Sequence, residues 1–324
     1  MKFLDIKDEH VTRFPQSDKA PERVHVFDTA CILAVNAALA AKRPLLVRGE
    51  PGVGKSQLAA AVAKELERAF ISFVVDARTE SRDLLWQLDA VMRLGEAQVI
   101  GTRTFATADE RKEALKDLDI SRFLRPGPLW WAFDWDSAQK QADRLMIPMR
   151  SPEESANAAN GCVILIDEID KGETDVPNGL LEALGQSEFT PLGALSAVTV
   201  KQAAPLVIIT TNEERALPDA FLRRCFVLHL ELPEAEKDLT NFLMKRGQEH
   251  FEKVHTDVLR KAASLLYQYR SKAISEHTRP LPGQAEYLDL IRAVSEKEKT
   301  KKGQLELLNR ISELAYQKHA RLKG

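Results

Sequence analysis

The sequence predicts an α/β fold: a parallel sheet of about five strands with helices on both faces, followed by an all-helical C-terminal region. Three observations carry that reading. The apolar run Pro44-Leu45-Leu46-Val47 leads into the glycine-rich turn Gly49-Glu50-Pro51-Gly52-Val53-Gly54-Lys55-Ser56, and a helix-forming run over 57–70 leaves it. Further on, Cys162-Val163-Ile164-Leu165-Ile166 ends in Asp167-Glu168, as a strand buried on both faces would if its C-terminal end opened into a polar crevice. Beyond Leu232-Pro233-Glu234 the apolar periodicity is helical almost throughout.

Composition bounds the chain more than it identifies it. The 324 residues suffice for one α/β core and a smaller second domain. With 44% hydrophobic and 29% charged residues the balance is that of a globular protein. A formal net charge of −2 gives no general attraction to nucleic acid or acidic lipid, so nucleic acid is not expected as a direct ligand. Cys31, Cys162 and Cys225 lack metal-ligand spacing and form no disulfide framework; they read as small core residues in a reducing compartment. No apolar run approaches the roughly 18 residues of a membrane span, and the charged start is unlike a signal peptide, so a cytoplasmic location is expected.

Taken in order, residues 1–25 read as an N-terminal arm, with Pro15 and Pro21. A helix is expected over 26–41, the first central strand over 45–48, and a helix over 55–70 with Leu58, Val62 and Leu66 on one face. A strand over 71–76 precedes a helix over 80–93; the charges Arg78, Glu80, Arg82 and Asp83 at that junction fit either a surface facing phosphate or a neighbouring subunit, or simple caps and solvated loop. Residues 94–119, in which Gly95 and Gly101 flank a short polar-apolar run and 109–118 is a charged helix, resemble no core element and read as an excursion. Arg125-Pro126-Gly127-Pro128 runs extended or turns. It presents Trp130 and Trp131 either as a pore or partner surface or as a plug on a core edge.

After the acidic strand the pattern gives a helix over 176–187, a small hairpin within 188–200, a buried strand over 206–212 and a last strand over 226–230. Helices follow over 236–249, 256–268, 284–294 and 305–323, with the charged run 296–302 as a loop. The expected domains are thus an arm over 1–25, an αβα body over 26–232 with its insertion near 94–119, and a helical lid over 233–324.

The glycine-rich turn, placed between strand and helix, is the pattern of a phosphate-binding loop. Its glycines let successive N–H groups turn inward, and the following helix adds its positive end. Lys55 is expected on the β- and γ-phosphates and Ser56 on Mg²⁺; the candidate nucleotide-binding residues are Gly49, Glu50, Pro51, Gly52, Val53, Gly54, Lys55, Ser56 and Gln57. Asp167 would hold Mg²⁺ directly or through a water, and Glu168, one residue on, is placed to polarise a water for attack on the γ-phosphate. Asn212, at the tip of the next strand, falls beside Glu168, where it would orient that water or contact the γ-phosphate. Arg223 and Arg224 follow the short helical run over 217–222, a position suited to offering a charge to a neighbour's γ-phosphate.

These residues together resemble an AAA+ ATPase. Gly49 to Ser56 match its Walker A motif, Val163 to Glu168 its Walker B, Asn212 its sensor 1 and Arg224 its arginine finger. Within AAA+ the chain is similar to the MoxR family of the helix-2-insert clade, through the position of the excursion and the run Leu217-Pro218-Asp219-Ala220-Phe221-Leu222-Arg223-Arg224-Cys225-Phe226. The resemblance implies ATP and Mg²⁺ as cofactors. It also implies a homo-oligomeric ring, hexameric in that family, and chaperone-like remodelling of a protein client, commonly one with a von Willebrand factor A domain. One departure is that Pro282 is followed by Gly283 and Gln284, where such proteins often carry the sensor 2 arginine. Either Arg279 substitutes from the preceding loop, or the lid senses nucleotide differently. A nucleic-acid-directed NTPase subunit of a restriction or defence system, and a slow nucleotide-gated scaffold, are the competing functions.

Overall fold

The computed structural model of the chain describes residues 2–15, 22–147, 149, 152, 155–194 and 196–317. The chain begins with an antiparallel pair, β1 (Val11–Phe14) and β2 (Arg23–Val26), then α1 (Thr29–Ala41), β3 (Leu45–Gly49), α2 (Lys55–Leu66) and β4 (Ala69–Val74). A short 3₁₀ turn over Ser81–Leu84 leads to β5 (Trp86–Leu88), α3 (Ala90–Thr102) and α4 (Ala108–Lys116). β6 (Leu124–Pro126) returns antiparallel to β5, and α5 (Pro128–Phe133) and α6 (Trp135–Arg144) follow. Next come β7 (Cys162–Asp167), a 3₁₀ turn over Ile169–Lys171, α7 (Asp175–Gln186), and the antiparallel pair β8 (Glu188–Phe189) and β9 (Val198–Thr199). β10 (Leu206–Thr211), α8 (Asp219–Leu222) and β11 (Phe226–Leu230) complete the α/β part. The helices α9 (Glu236–His250), α10 (Thr256–Ser275), α11 (Gln284–Lys297) and α12 (Lys301–Tyr316) end the described chain.

Five strands form one sheet in the order β11-β3-β10-β7-β4, the parallel α/β core that the sequence predicts. In register, Leu206 lies opposite Val163 and Ile209 opposite Ile166, while Val74 on the other side reaches Asp167. Every residue of β7 before Asp167 is buried, and β10 is buried along its whole length. Continuous burial on both faces explains why neither strand alternates in sequence.

The chain divides into two compact units, each assembled from separate segments. One comprises Met1–Asp5, Leu33–Val47 and Ala59–Leu228. Its core packs Ile164, Ile166, Val207 and Ile209 against Trp131, Phe133, Leu180 and Phe221. The other comprises Ile6–Ile32, Arg48–Leu58 and His229–Gly324, with Leu239, Leu243, Leu259, Leu266, Tyr287, Ile291 and Leu308 at its centre.

Several elements differ from the sequence reading. The helix expected over 80–93 is broken into a turn, a strand and the start of α3, because Trp86-Gln87-Leu88 pairs with β6 and Asp89 caps a new helix by accepting from the Met92 N–H. Pro128, counted against helix, is the first residue of α5, where its missing N–H is not needed. Trp130 and Trp131 are core residues: Trp131 meets Trp135 edge-on at 5.0 Å, and Trp130 meets Phe189 at 5.9 Å. In the excursion α4 buries none of its side chains and α3 only Ile100. The charged run at 296–302 is mostly helix, since Lys297 ends α11 and Thr300 caps α12 by accepting from the Gly303 N–H. Lysine and glutamate are good helix formers, and charge alone does not make a loop. The part of the last helix expected beyond 317, and residues 16–21 of the arm, lie outside the described residues. Among the described residues no helix is long and apolar enough to cross a membrane.

Candidate functional site

The phosphate loop belongs to the second unit. Gly49 adopts φ 148°, and a Cβ there would stand 2.3 Å from the Leu230 carbonyl oxygen. Gly52 adopts φ 79°, and its Cβ would stand 2.8 Å from the Ala285 Cβ at the start of α11. Both positions therefore require glycine for conformation and for space. Lys55 is buried at the first turn of α2, and its Nζ donates to the carbonyl oxygens of Gly49 at 2.7 Å and Glu50 at 3.0 Å. Ser56 is exposed in the same turn, Gly54 accepts from the Leu58 N–H at 3.0 Å, and Val53 packs on the helical core. Gln57 is engaged elsewhere: its side-chain amide donates to the Val24 carbonyl of β2 at 2.8 Å.

Glu50 has partners that sequence reasoning missed. Its carboxylate takes Arg270 of α10 at 2.7 Å and Arg279 at 3.2 Å, and Arg270 also donates to the Pro282 carbonyl at 3.2 Å. Arg270 is the more enclosed of the two, 14% exposed against 73% for Arg279. The helical region thus brings two cations to the phosphate loop, of which the sequence points only to Arg279. A separation of 220 residues left no local signal for the other.

The acidic residues after β7 belong to the first unit. β7 ends on Asp167, and Glu168 follows in the left-handed conformation, φ 58° and ψ 48°. Such a backbone is uncommon for a glutamate and persists where its surroundings hold it. Here the Glu168 N–H donates to Thr210 Oγ1 at 2.9 Å, and that hydroxyl in turn donates to Asp167 Oδ1. One buried hydroxyl of β10 therefore fixes both carboxylate residues. Asn212 reaches Glu168 as expected, Nδ2 donating to Oε1 at 3.3 Å. Lys171 Nζ donates to Oε2 at 2.7 Å, and that bond holds the lysine ammonium above its ordinary pKa. Asp170 is buried and accepts from the Glu214 N–H at 2.9 Å, which anchors the segment after Asn212.

Arg223 and Arg224 follow α8 in the same unit, both exposed. Among the described residues no ion pair takes either side chain. Nor do the described residues hold any group of three or more histidine, cysteine or acidic side chains fit to bind a metal ion.

The sequence profile of the ATPase family associated with various cellular activities (AAA) matches residues 45–234. One solved structure, described as "a putative ATPase from Cytophaga hutchinsonii ATCC 33406", is similar to it at 14% identity. That similarity covers 87% of this chain and 78% of the other, with a TM-score of 0.38. No curated protein matches the chain.

Proposed function

The chain belongs to the ATPase family associated with various cellular activities, and on that premise we propose that it hydrolyses MgATP to remodel or activate a protein partner in the manner of MoxR proteins. Family membership implies nucleotide binding, and such ATPases typically act as oligomers. The observation that carries hydrolysis, beyond binding, is the Glu168 carboxylate held between Asn212 and Lys171 one residue past Asp167. A protein that only bound nucleotide would have no use for an oriented base at that position.

In this reading the backbone of the loop from Gly49 to Gly54, with Pro51 and Val53, cradles the phosphates, and Lys55 turns from its carbonyl partners toward the β- and γ-oxygens. Gln57 steadies the loop from behind. Ser56 and Asp167 would hold Mg²⁺, which when bound neutralises charge building on the phosphates. Glu168 orients and deprotonates the attacking water, Asn212 fixes that carboxylate, and Arg270 and Arg279 of the lid respond to nucleotide through Glu50. Arg224 serves the next subunit in a head-to-tail arrangement that closes into a ring, six in the MoxR pattern. The body over 26–232 and the lid from 233 then move against one another on turnover. A partner with a von Willebrand factor A domain, which rests on the MoxR likeness alone, and a cytoplasmic setting complete the proposal.

Mixing two inactive variants tests the core of this reading. Arg224→Ala keeps Glu168 but lacks the finger; Glu168→Gln keeps the finger but lacks the base. Each alone is expected to bind MgATP and to release phosphate at least about 10³-fold more slowly than the wild type. Mixed, they form interfaces where an intact Glu168 faces an intact Arg224, and part of the wild-type rate should return. Wild-type turnover by a monomeric Arg224→Ala protein would sink both the finger and the ring.

A further inference from the structure

Lys171 has no part in the function described so far except to touch Glu168. Its N–H donates to the Glu168 carbonyl at 3.0 Å, closing the 3₁₀ turn and bringing the two residues together. The ammonium consequently lies on Oε2 at 2.7 Å while Asn212, from the end of another strand, holds Oε1 at 3.3 Å. The Glu168 backbone is fixed in its left-handed conformation by Thr210. Each carboxylate oxygen thus has one donor and keeps a second lone pair for a water. The two side chains are 41% and 30% exposed, and an ion pair so open to solvent contributes little to folding. What it does supply is direction. Glu214 and Asp170 add negative charge near the lysine and help keep it protonated.

We propose that Lys171 is a positioning residue for the Glu168 carboxylate, locking the rotamer in which that group meets the attacking water. The inference rests on the reading of Glu168 as the base. Asn212 alone leaves Oε2 free to swing about the Cγ–Cδ bond; the ammonium removes that freedom. A displacement near 1 Å at the reacting atoms can cost about 10²-fold in rate.

The test compares Lys171→Met and Lys171→Arg in the full chain, measuring phosphate release against MgATP concentration. For Lys171→Met kcat should fall by about tenfold or more with KM within about twofold of wild type, and Lys171→Arg should recover most of the loss. A second readout uses the nucleotide-free protein: the Lys171 Cε resonance, followed by NMR through alkaline pH, should titrate nearer the ordinary lysine range in Glu168→Gln than in wild type. Should Lys171→Met fold poorly, Lys171→Gln takes its place, and the Cε titration is measured on wild type and Glu168→Gln in either case. Wild-type kcat in the lysine variant, a raised KM at unchanged kcat, or a Lys171 titration indifferent to Glu168→Gln would overturn the inference. Full turnover by Glu168→Gln would instead remove the base assignment, so the two failures are distinguishable.

Discussion

Thr210 shows how much one hydroxyl can decide. It accepts from the Glu168 N–H and donates to Asp167, and it is wholly buried. Replacing it by valine keeps the shape but leaves a backbone donor without its partner, a loss of about 1–3 kcal/mol. Thr210→Val should therefore lower the melting temperature by a few degrees and raise the magnesium concentration needed for half-maximal turnover, while Thr210→Ser should stay close to wild type. Calorimetry and a magnesium titration check the two effects separately. Asp167, Glu168 and Asn212 were legible in the sequence because polar residues at the end of an apolar run have no place in a buried strand. Thr210 was not, because threonine inside such a run reads as an ordinary strand former. Lys171 escaped for a related reason, since a lysine after a strand looks like the chain returning to solvent.

At the scale of elements, packing between α9 and β2 places basic groups where water is scarce. Burial, then Arg246 and His250, lowers the His25 pKa to about 3; burial, then Arg292, Arg246 and Arg13, lowers that of His250 to about 4. Arg246 is itself held below its usual range by burial, an effect that the carboxylates of Asp28, Glu9 and Asp8 oppose. Both histidines are neutral in the folded protein near neutrality and in mild acid. In the unfolded chain they take up protons once the pH falls below about 6.5, so stability is lost from there downward until the folded forms also titrate, near 4 and then 3. At pH 5 the loss is on the order of 1–2 kcal/mol per histidine. The melting temperature of this unit should drop between pH 7 and pH 5, and His25→Gln should flatten that slope, as differential scanning calorimetry would show. An equal slope in the variant would count against the burial assigned to His25. The sequence offers no hint of this cluster, because 23–25 read as the end of an arm and Val26 as the start of a helix. The lid helices were legible to within a few residues at most of their ends, whereas the segment over 80–93 was not, because its strand exists only through pairing with β6, more than thirty residues later.

For the whole molecule, the five-stranded sheet and the helical C-terminal region followed from hydrophobic pattern, but the division into units did not. Nothing in the pattern of 6–32 announces that it joins a core whose last segment begins at His229, yet Arg13 binds Glu249 at 2.9 Å and Glu9 takes Lys245. A chain ending after Leu232 should therefore keep the core around β7 and β10 but lose order in β1 and β2, visible as proteolytic cleavage near those strands. That arrangement also sets a clock on biosynthesis. With roughly 200 residues between the two ends of this unit, a ribosome adding about 5–20 residues per second leaves β1 and β2 waiting about 10–40 s for α9 to emerge. The first strands made are among the last to be completed, so folding of the nascent chain depends on its early segment staying out of other pairings until translation is almost over.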